Sequence, residues 1–317
     1  MVSDVGAFIA KRLPWAVLTI FLASLLSFSL LYFSPGNSAE MILSAEMGHE
    51  PTQEAVQSFV KNFGLDEHFI SQYLGWMSNI LHGSFGSSLR TGDPVLEEFM
   101  ARFPATFILA LSALSFALII GVSFGVLSAV KPNSWLDYLG NVIASTGIAI
   151  PSFWLGLLLI FFFSIQLNIL PSFGYGGLEH LILPTIALGS HQVARILRVT
   201  RESMLDVLGE EYIVFAYAKG LTEKAVVLKH AIRNALNPVV TQAGLDLGYL
   251  LGGTVIIEQV FGWPGIGSFL LTSVMARDFP VVSGFVLMIA FLFVLINLLV
   301  DLSYSIIDPR VKLEGAK

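Results

Sequence analysis

No cysteine occurs in the 317-residue sequence. That excludes a disulfide scaffold, a thiolate metal site and a cysteine nucleophile. Charge is also scarce: Asp, Glu, Lys and Arg make up 13% of the chain, against roughly 25% in a soluble globular protein. So little polar surface cannot cover a water-soluble body. No G-x-x-x-x-G-K-[ST] phosphate loop is present, and the run Gly174-Tyr175-Gly176-Gly177 is not followed by Lys-Ser or Lys-Thr. H-E-x-x-H does not occur, and the G-x-S-x-G match from Gly121 to Gly125 lies inside a long apolar run, where no strand-to-helix nucleophile elbow is expected. Ser190 and His191 are adjacent, so on a helix they point to different faces and form a poor nucleophile–base pair. The chain therefore reads as a non-enzyme with no metal site of its own. Energy for any pumping comes from a partner chain or an ion gradient. The net charge of −6 is no partner signal, because the charges segregate by membrane side, and no nucleic-acid partner is expected.

What the chain has is apolar length. Hydrophobic residues make up 55% of it and gather in six runs, each long enough to cross a hydrocarbon core of about 30 Å, which takes roughly 20 helical residues. The spans are expected at about Leu13 to Phe33, Pro104 to Val130, Leu139 to Ile165, Leu181 to Val199, Val239 to Val260 and Val281 to Ile307. The fourth is the weakest, since it contains His191 and Arg195. The first resembles a secretory signal, with Asn37-Ser38-Ala39 as a passable cleavage site. Its apolar run exceeds the roughly 7–15 residues of a signal core, so a retained helix is expected.

Orientation follows from Lys and Arg. One set of alternate loops holds Lys11 and Arg12, Lys131, Arg198 through Arg233, and Arg310, Lys312 and Lys317. The opposite set holds only Lys61, Arg90, Arg102 and Arg277. The rich set is cytoplasmic, which puts both termini inside and agrees with an even number of spans. The fold class expected is an all-α integral membrane protein of about six transmembrane helices. An N-terminal helix (1–33) precedes an external cap (34–103), a five-helix core (104–307) with a cytoplasmic helix–turn–helix loop (200–238), and a cytoplasmic tail (308–317).

The cap is acidic and has helical stretches such as Phe69 to Met77. In the loop, Ser203-Met204-Leu205-Asp206 fits a capping box opening a first short helix. Gly220 fits a left-handed stop, Thr222 a second cap, and Pro238 falls just past the second helix. Ile213, Ala216, Tyr217 and Leu221 share helical spacing. Such a loop is either a surface-lying brace or a docking handle for a cytoplasmic partner. Polar groups within the spans are expensive and mark pathways or structural pairs. They are His191, Arg195, Asp246, Glu258, Asn297 and Asp301. Asp246 is the best pathway candidate, followed by Glu258, and a buried pair is the competing reading. Gly244, Gly248, Gly252 and Gly253 allow close helix approach.

The loop also carries a signature. Glu211-Tyr212-Ile213, Ala216-Tyr217-Ala218-Lys219-Gly220-Leu221 and the stretch from His230 to Thr241 resemble the ATPase-coupling loop of binding-protein-dependent ABC importer permeases, the peptide/nickel branch in particular. Of the generic Glu-Ala-Ala start only Ala216 is kept. Further along the chain, Asn62 to Asp66, Gln72-Tyr73 and Gly83 to Ser88 resemble the branch's external cap. Arg102 to Thr106 resembles the start of its second span, and Gly253 to Glu258 with Phe261 to Gly267 its fifth-span exit. Asp308-Pro309-Arg310 resembles its usual terminus.

The resemblance implies a half-transporter. Its partners would be a second homologous permease, two cytoplasmic ATPases that bind ATP and Mg, an external substrate-binding protein and the surrounding lipid. It implies coupling roles for Tyr212, Ala216, Ala218, Lys219, Gly220, Leu221, His230, Arg233, Asn234 and Pro238. Ala216 and Gly220 would permit close docking, and Arg233 and Asn234 would fix the second helix. The short external link from Pro171 to His180 resembles nickel-importing members. Nickel, bare or chelated, is then the expected cargo, with short peptides as the alternative. An ion-coupled secondary transporter is the competing class. It predicts internal repeats, and none is evident.

Overall fold

The computed structural model describes residues 2–33, 38–62, 64 and 66–307. Residues 34–37, Phe63, Leu65, the tail 308–317 with its Asp308-Pro309-Arg310 run, and the side chain of Asp301 lie outside the described residues. Among the described residues every regular element is helical, and the single β-type contact is an isolated bridge between Ser87 and Pro94.

The apolar runs become α1 (Val2–Tyr32), α5 (Val95–Val130), α6 (Trp135–Ala149), α7 (Ser152–Leu159), α8 (Leu178–Leu208), α11 (Ile232–Gly253), α12 (Val255–Phe261) and α14 (Phe279–Ile307). Between them lie α2 (Ser38–Met47), α3 (Gln53–Asn62), α4 (Phe69–Leu81), α9 (Glu211–Ala218), α10 (Glu223–Val226) and α13 (Ile266–Met275). Among the described residues, Arg12–Leu30, α5 and Phe279–Val300 are each long and apolar enough to cross a membrane unaided.

Two expected spans are broken. The third bends by 105° between α6 and α7. Pro151 has no N–H and pushes the residue before it out of the helical region, and Ile150 sits at φ −90, ψ 121. Past the break the helix widens into a π-helical stretch, Ile160–Gln166. The fifth span bends by 56° between α11 and α12. The fourth is a single long helix, α8, whose charges keep it out of the set that qualifies on apolar composition.

The chain divides into two compact units. The first holds residues 1–106 and 264–294. Here Phe69, Tyr73 and Trp76 of α4 recur on one helix face and surround Phe28 of α1, with ring centroids at 5.7, 5.5 and 5.4 Å. Ser24 of α1 and the Tyr73 hydroxyl share a 2.8 Å hydrogen bond. Val95, Phe99, Ile266, Val281, Phe285 and Met288 form the unit's apolar cluster. The Thr106 hydroxyl accepts from the Ile266 N–H at 2.9 Å, satisfying an orphan donor at the start of α13. Buried Asp278 accepts from the Ser88 hydroxyl and from the Leu89 N–H at 3.0 Å. The helix of the second span also starts earlier in the chain than expected: α5 begins at Val95, and Pro104 lies inside it.

The second unit holds residues 107–263 and 295–317. Its centre is α8, packed by α11, α6 and α7. Ala113, Ala117, Ala187, Ala194, Ile196 and Leu197 are buried there. Close approach is what small residues permit in membrane helices, and α8 uses it on two sides. A Cβ on Gly189 would lie 2.8 Å from the Ala113 carbonyl oxygen of α5, and one on Gly147 of α6 2.8 Å from the Ser190 carbonyl oxygen. Among the glycines singled out in the fifth span, Gly244 meets Val300 of α14, whereas a Cβ on Gly252 would meet nothing within 4 Å.

Candidate functional site

The helix–turn–helix loop differs from the expectation at both ends. Ser203 to Asp206 opens no helix, because α8 runs on to Leu208. Met204 is fully buried, so the turn that carries the box-like pattern is held in helix by its packing. The second helix does not stop before Pro238. From α10 the chain passes through a π-helical stretch, Val227–Ala231, directly into α11, with Pro238 inside it. Thr222 does sit at the N-cap position of α10, without a side-chain capping bond.

Gly220 performs as expected. Its φ is +78, a conformation open mainly to glycine. The Gly220 N–H donates to the Tyr217 carbonyl at 2.9 Å and the Leu221 N–H to the Ala216 carbonyl at 3.4 Å. This pair of bonds is the Schellman closure of a helix. It ends α9 and turns the chain back.

α9 is two-faced, though not along the predicted line. Ile213 and Ala216 are buried in a cluster with Ala129 of α5, Met204 of α8, Val226 and Val227, Ala231 and Ala235. Tyr217 and Leu221 fall on the other side and are exposed, as are Tyr212, Val214 and Phe215. Ala216 therefore packs closely on its own chain. The Asn234 side chain donates to the Tyr212 hydroxyl at 2.7 Å and ties α11 to α9. The Lys219 ammonium lies 4.6 Å from the Phe215 ring centre. Ala218, Lys219, Gly220, His230, Arg233 and Pro238 are exposed. A surface rich in apolar and aromatic groups with basic residues around it has the composition of a protein-docking face.

An ion pair absent from the sequence reading holds this region together. Asp137, at the start of α6, is buried, and Arg201 of α8 grips it with both ends of its fork. Arg201 Nε lies 2.8 Å from Oδ1 and Nη2 lies 2.9 Å from Oδ2. The Asn133 N–H donates to Oδ2 at 3.0 Å, and the Asn141 amide to Oδ1 at 3.3 Å.

The intramembrane polar residues also pair. Asp246 of α11 is fully buried, and its Oδ1 accepts from Arg195 Nη1 at 2.9 Å and from the Gln242 amide at 3.0 Å. Its Oδ2 is buried and has no partner among the described residues. The Arg195 side chain is 38% exposed, and its Cζ lies 5.9 Å from the Tyr249 ring centre. Glu258 is fully buried, and its Oε1 accepts from the Thr254 hydroxyl at 2.8 Å.

Gly262, at φ +60, ends α12. The link after α7 folds back onto this turn. The Gly174 N–H donates to the Phe261 carbonyl at 2.8 Å, and the Tyr175 ring meets Trp263 edge-on at 4.7 Å. In the same link His180 Nδ1 and Glu179 Oε1 lie 3.6 Å apart. Among the described residues no group of three or more His, Cys, Asp or Glu is placed to hold a metal ion.

Comparison with known proteins agrees with this architecture along the chain. Residues 121–313 match the family described as binding-protein-dependent transport system inner membrane component, and residues 5–110 match its N-terminal counterpart. The dipeptide transport system permease protein DppB of Alkalihalophilus pseudofirmus is 40% identical, covering 96% of this chain and 99% of its own. The glutathione transport system permease protein GsiC of Escherichia coli K12 is 40% identical, covering 96% and 98%. Among solved structures, a chain of the MetNI methionine ABC transporter in an inward-facing conformation superposes with a TM-score of 0.54 at 19% identity. It covers 67% of this chain and 97% of that one. A chain of an amino acid ABC transporter solved with histidines gives 0.51 at 16%, covering 68% and 95%. Permeases of this family work with a second permease, ATPases and a substrate-binding protein. The two-faced α9 beside a helical, membrane-spanning body and the match along almost all of its length place this chain in the binding-protein-dependent transport system inner membrane component family, as the permease subunit of an ABC importer.

Proposed function

We propose that this chain carries short peptides inward across the bacterial inner membrane, driven by two ATPases that dock on α9. The observation that carries the coupling half is the division of α9: Ile213 and Ala216 are sealed inside, while Tyr212, Val214, Phe215 and Tyr217 stay uncovered. An apolar face of that kind on a water-side loop has a partner. ATP and Mg would be held by that partner. The Lys and Arg bias puts both termini and α9 in the cytoplasm. The outer helices α2 to α4 then face the binding protein.

Peptide cargo is favoured by the 40% identity to permeases named for dipeptide and glutathione transport. The nickel reading rests on the short link, in which Glu179 and His180 form a single carboxylate–imidazole pair. Uptake of labelled dipeptide and labelled nickel, measured separately in cells with and without the chain, decides between them. Dipeptide uptake that depends on the chain is the expected result. Nickel uptake alone would replace peptides as the cargo.

Gly220→Val tests the docking role. A Cβ at Gly220 meets no atom within 4 Å, so the substitution acts through the backbone: a β-branched residue at positive φ is strained by about 1–2 kcal/mol. Purified with its partners, the variant is expected to keep α8 and α11 folded but lose most transport-coupled ATP hydrolysis. Unchanged coupling would remove the role given to this turn.

A further inference from the structure

We infer that Arg195 is a docking point for the C-terminal carboxylate of the peptide in transit, with Asp246 and Gln242 as the residues that position it. This rests on the peptide reading above. Arg195 lies on α8, within the expected fourth span, and a guanidinium exposed to hydrocarbon is costly. Arginine commonly escapes that cost by reaching for the interface. Here the guanidinium is held to buried Asp246 of the neighbouring α11. Its exposed part therefore faces water or another protein surface.

The contact with Asp246 engages Nη1 alone. A guanidinium presents five N–H donors in a planar fork. Nε and Nη2 have no partner among the described residues, and the side chain is 38% exposed. That free edge fits a carboxylate by two parallel hydrogen bonds, the geometry in which arginine surpasses lysine. Asp246 tempers the site. Its negative charge, fully buried, offsets much of the cation, so an anion is bound and then released, as a transport path requires. Gln242 keeps Oδ1 satisfied at 3.0 Å while the guanidinium turns to cargo. The exposed Tyr249 ring flanks the guanidinium.

The test uses the complete transporter, both permeases with both ATPases, in lipid nanodiscs without the binding protein. Dialanine and its C-terminal amide compete against labelled dialanine. The wild type is expected to prefer the acid by about tenfold or more, the value of a charge-assisted hydrogen-bonded pair. Arg195→Gln is expected to bring the two ligands to equal affinity, and Arg195→Lys to leave a smaller preference. Should Arg195→Gln fail to assemble with Asp246 stranded, the double variant Arg195→Gln, Asp246→Asn removes both charges and is read in its place. An unchanged acid-to-amide ratio in the variants, or no preference in the wild type, overturns the proposal. Dipeptide uptake by wild-type cells is measured alongside. Uptake with an unmoved ratio sinks this inference alone, and no uptake sinks the peptide reading itself.

Discussion

Gly189→Leu is expected to leave almost no folded protein in the membrane. The Cβ alone would sit 2.8 Å from the Ala113 carbonyl oxygen, 3.0 Å from the Phe116 ring and 3.4 Å from the Ala113 Cα. Two of these are backbone atoms of α5, which cannot rotate away. The crossing is tight over several turns, since a Cβ on Gly125 would lie 2.9 Å from the Leu197 carbonyl and one on Gly121 3.1 Å from the Leu197 N. Relief at Gly189 therefore means prising α5 and α8 apart and losing the contacts around Ala113, Ala117 and Ala187. Adding methylenes to a well-packed core costs about 1–3 kcal/mol where side chains can yield. With backbone on the far side, the cost falls at or above the top of that range. The control is Gly252→Leu, where an added Cβ meets nothing within 4 Å. Yield of the detergent-purified complex and its thermal midpoint by tryptophan fluorescence separate the two. Equal midpoints would mean that the α5–α8 crossing does not carry the fold.

The long apolar helices were legible because roughly 20 consecutive apolar residues have few other destinations. Breaks within them were less so. Pro151 and Pro104 are the same residue type in similar runs, yet one follows a 105° bend and the other lies inside α5. The difference is packing: Phe99 and Phe103 beside Pro104 stack in the first unit's aromatic cluster, and helical context overrides the local preference. α13 gives no such signal, because its ten residues are too short to stand out as a span. At the coupling loop, Gly220 was legible from its type alone, whereas the box at Ser203 was misleading. S-x-x-D occurs there within a helix whose Met204 is pinned by tertiary contacts. Charge partners were the least visible. Asp137 and Arg201 lie 64 residues apart, and Arg195 and Asp246 lie 51 apart. In a single sequence nothing links members of such pairs.

That hidden pairing sets the second large effect. Arg201→Ala is expected to destabilise the permease by about 3–5 kcal/mol, the cost of stranding a buried charge. The Asp137 side chain is 5% exposed and that of Arg201 26%, so water reaches the cation better than the carboxylate. With Arg201 gone, the Asn133 N–H and the Asn141 amide remain, two neutral donors against a full negative charge. The consequence reaches α9. Met204, Leu205, Val207 and Leu208 of α8, within two turns of Arg201, contribute to the cluster that seats Ile213 and Ala216. Freeing the end of α8 from α6 therefore loosens the seat of the coupling helix without altering α9 itself. The double variant Asp137→Leu, Arg201→Met removes both charges and is expected to recover most of the thermal midpoint, since apolar replacement of a buried pair is often neutral. Its coupled transport should recover less, because the fork that fixes α6 to α8 in one geometry is gone. A single Arg201→Ala variant with a wild-type midpoint would show that Asp137 finds other compensation. A double variant no better than the single would show that the loss comes from packing and not from charge.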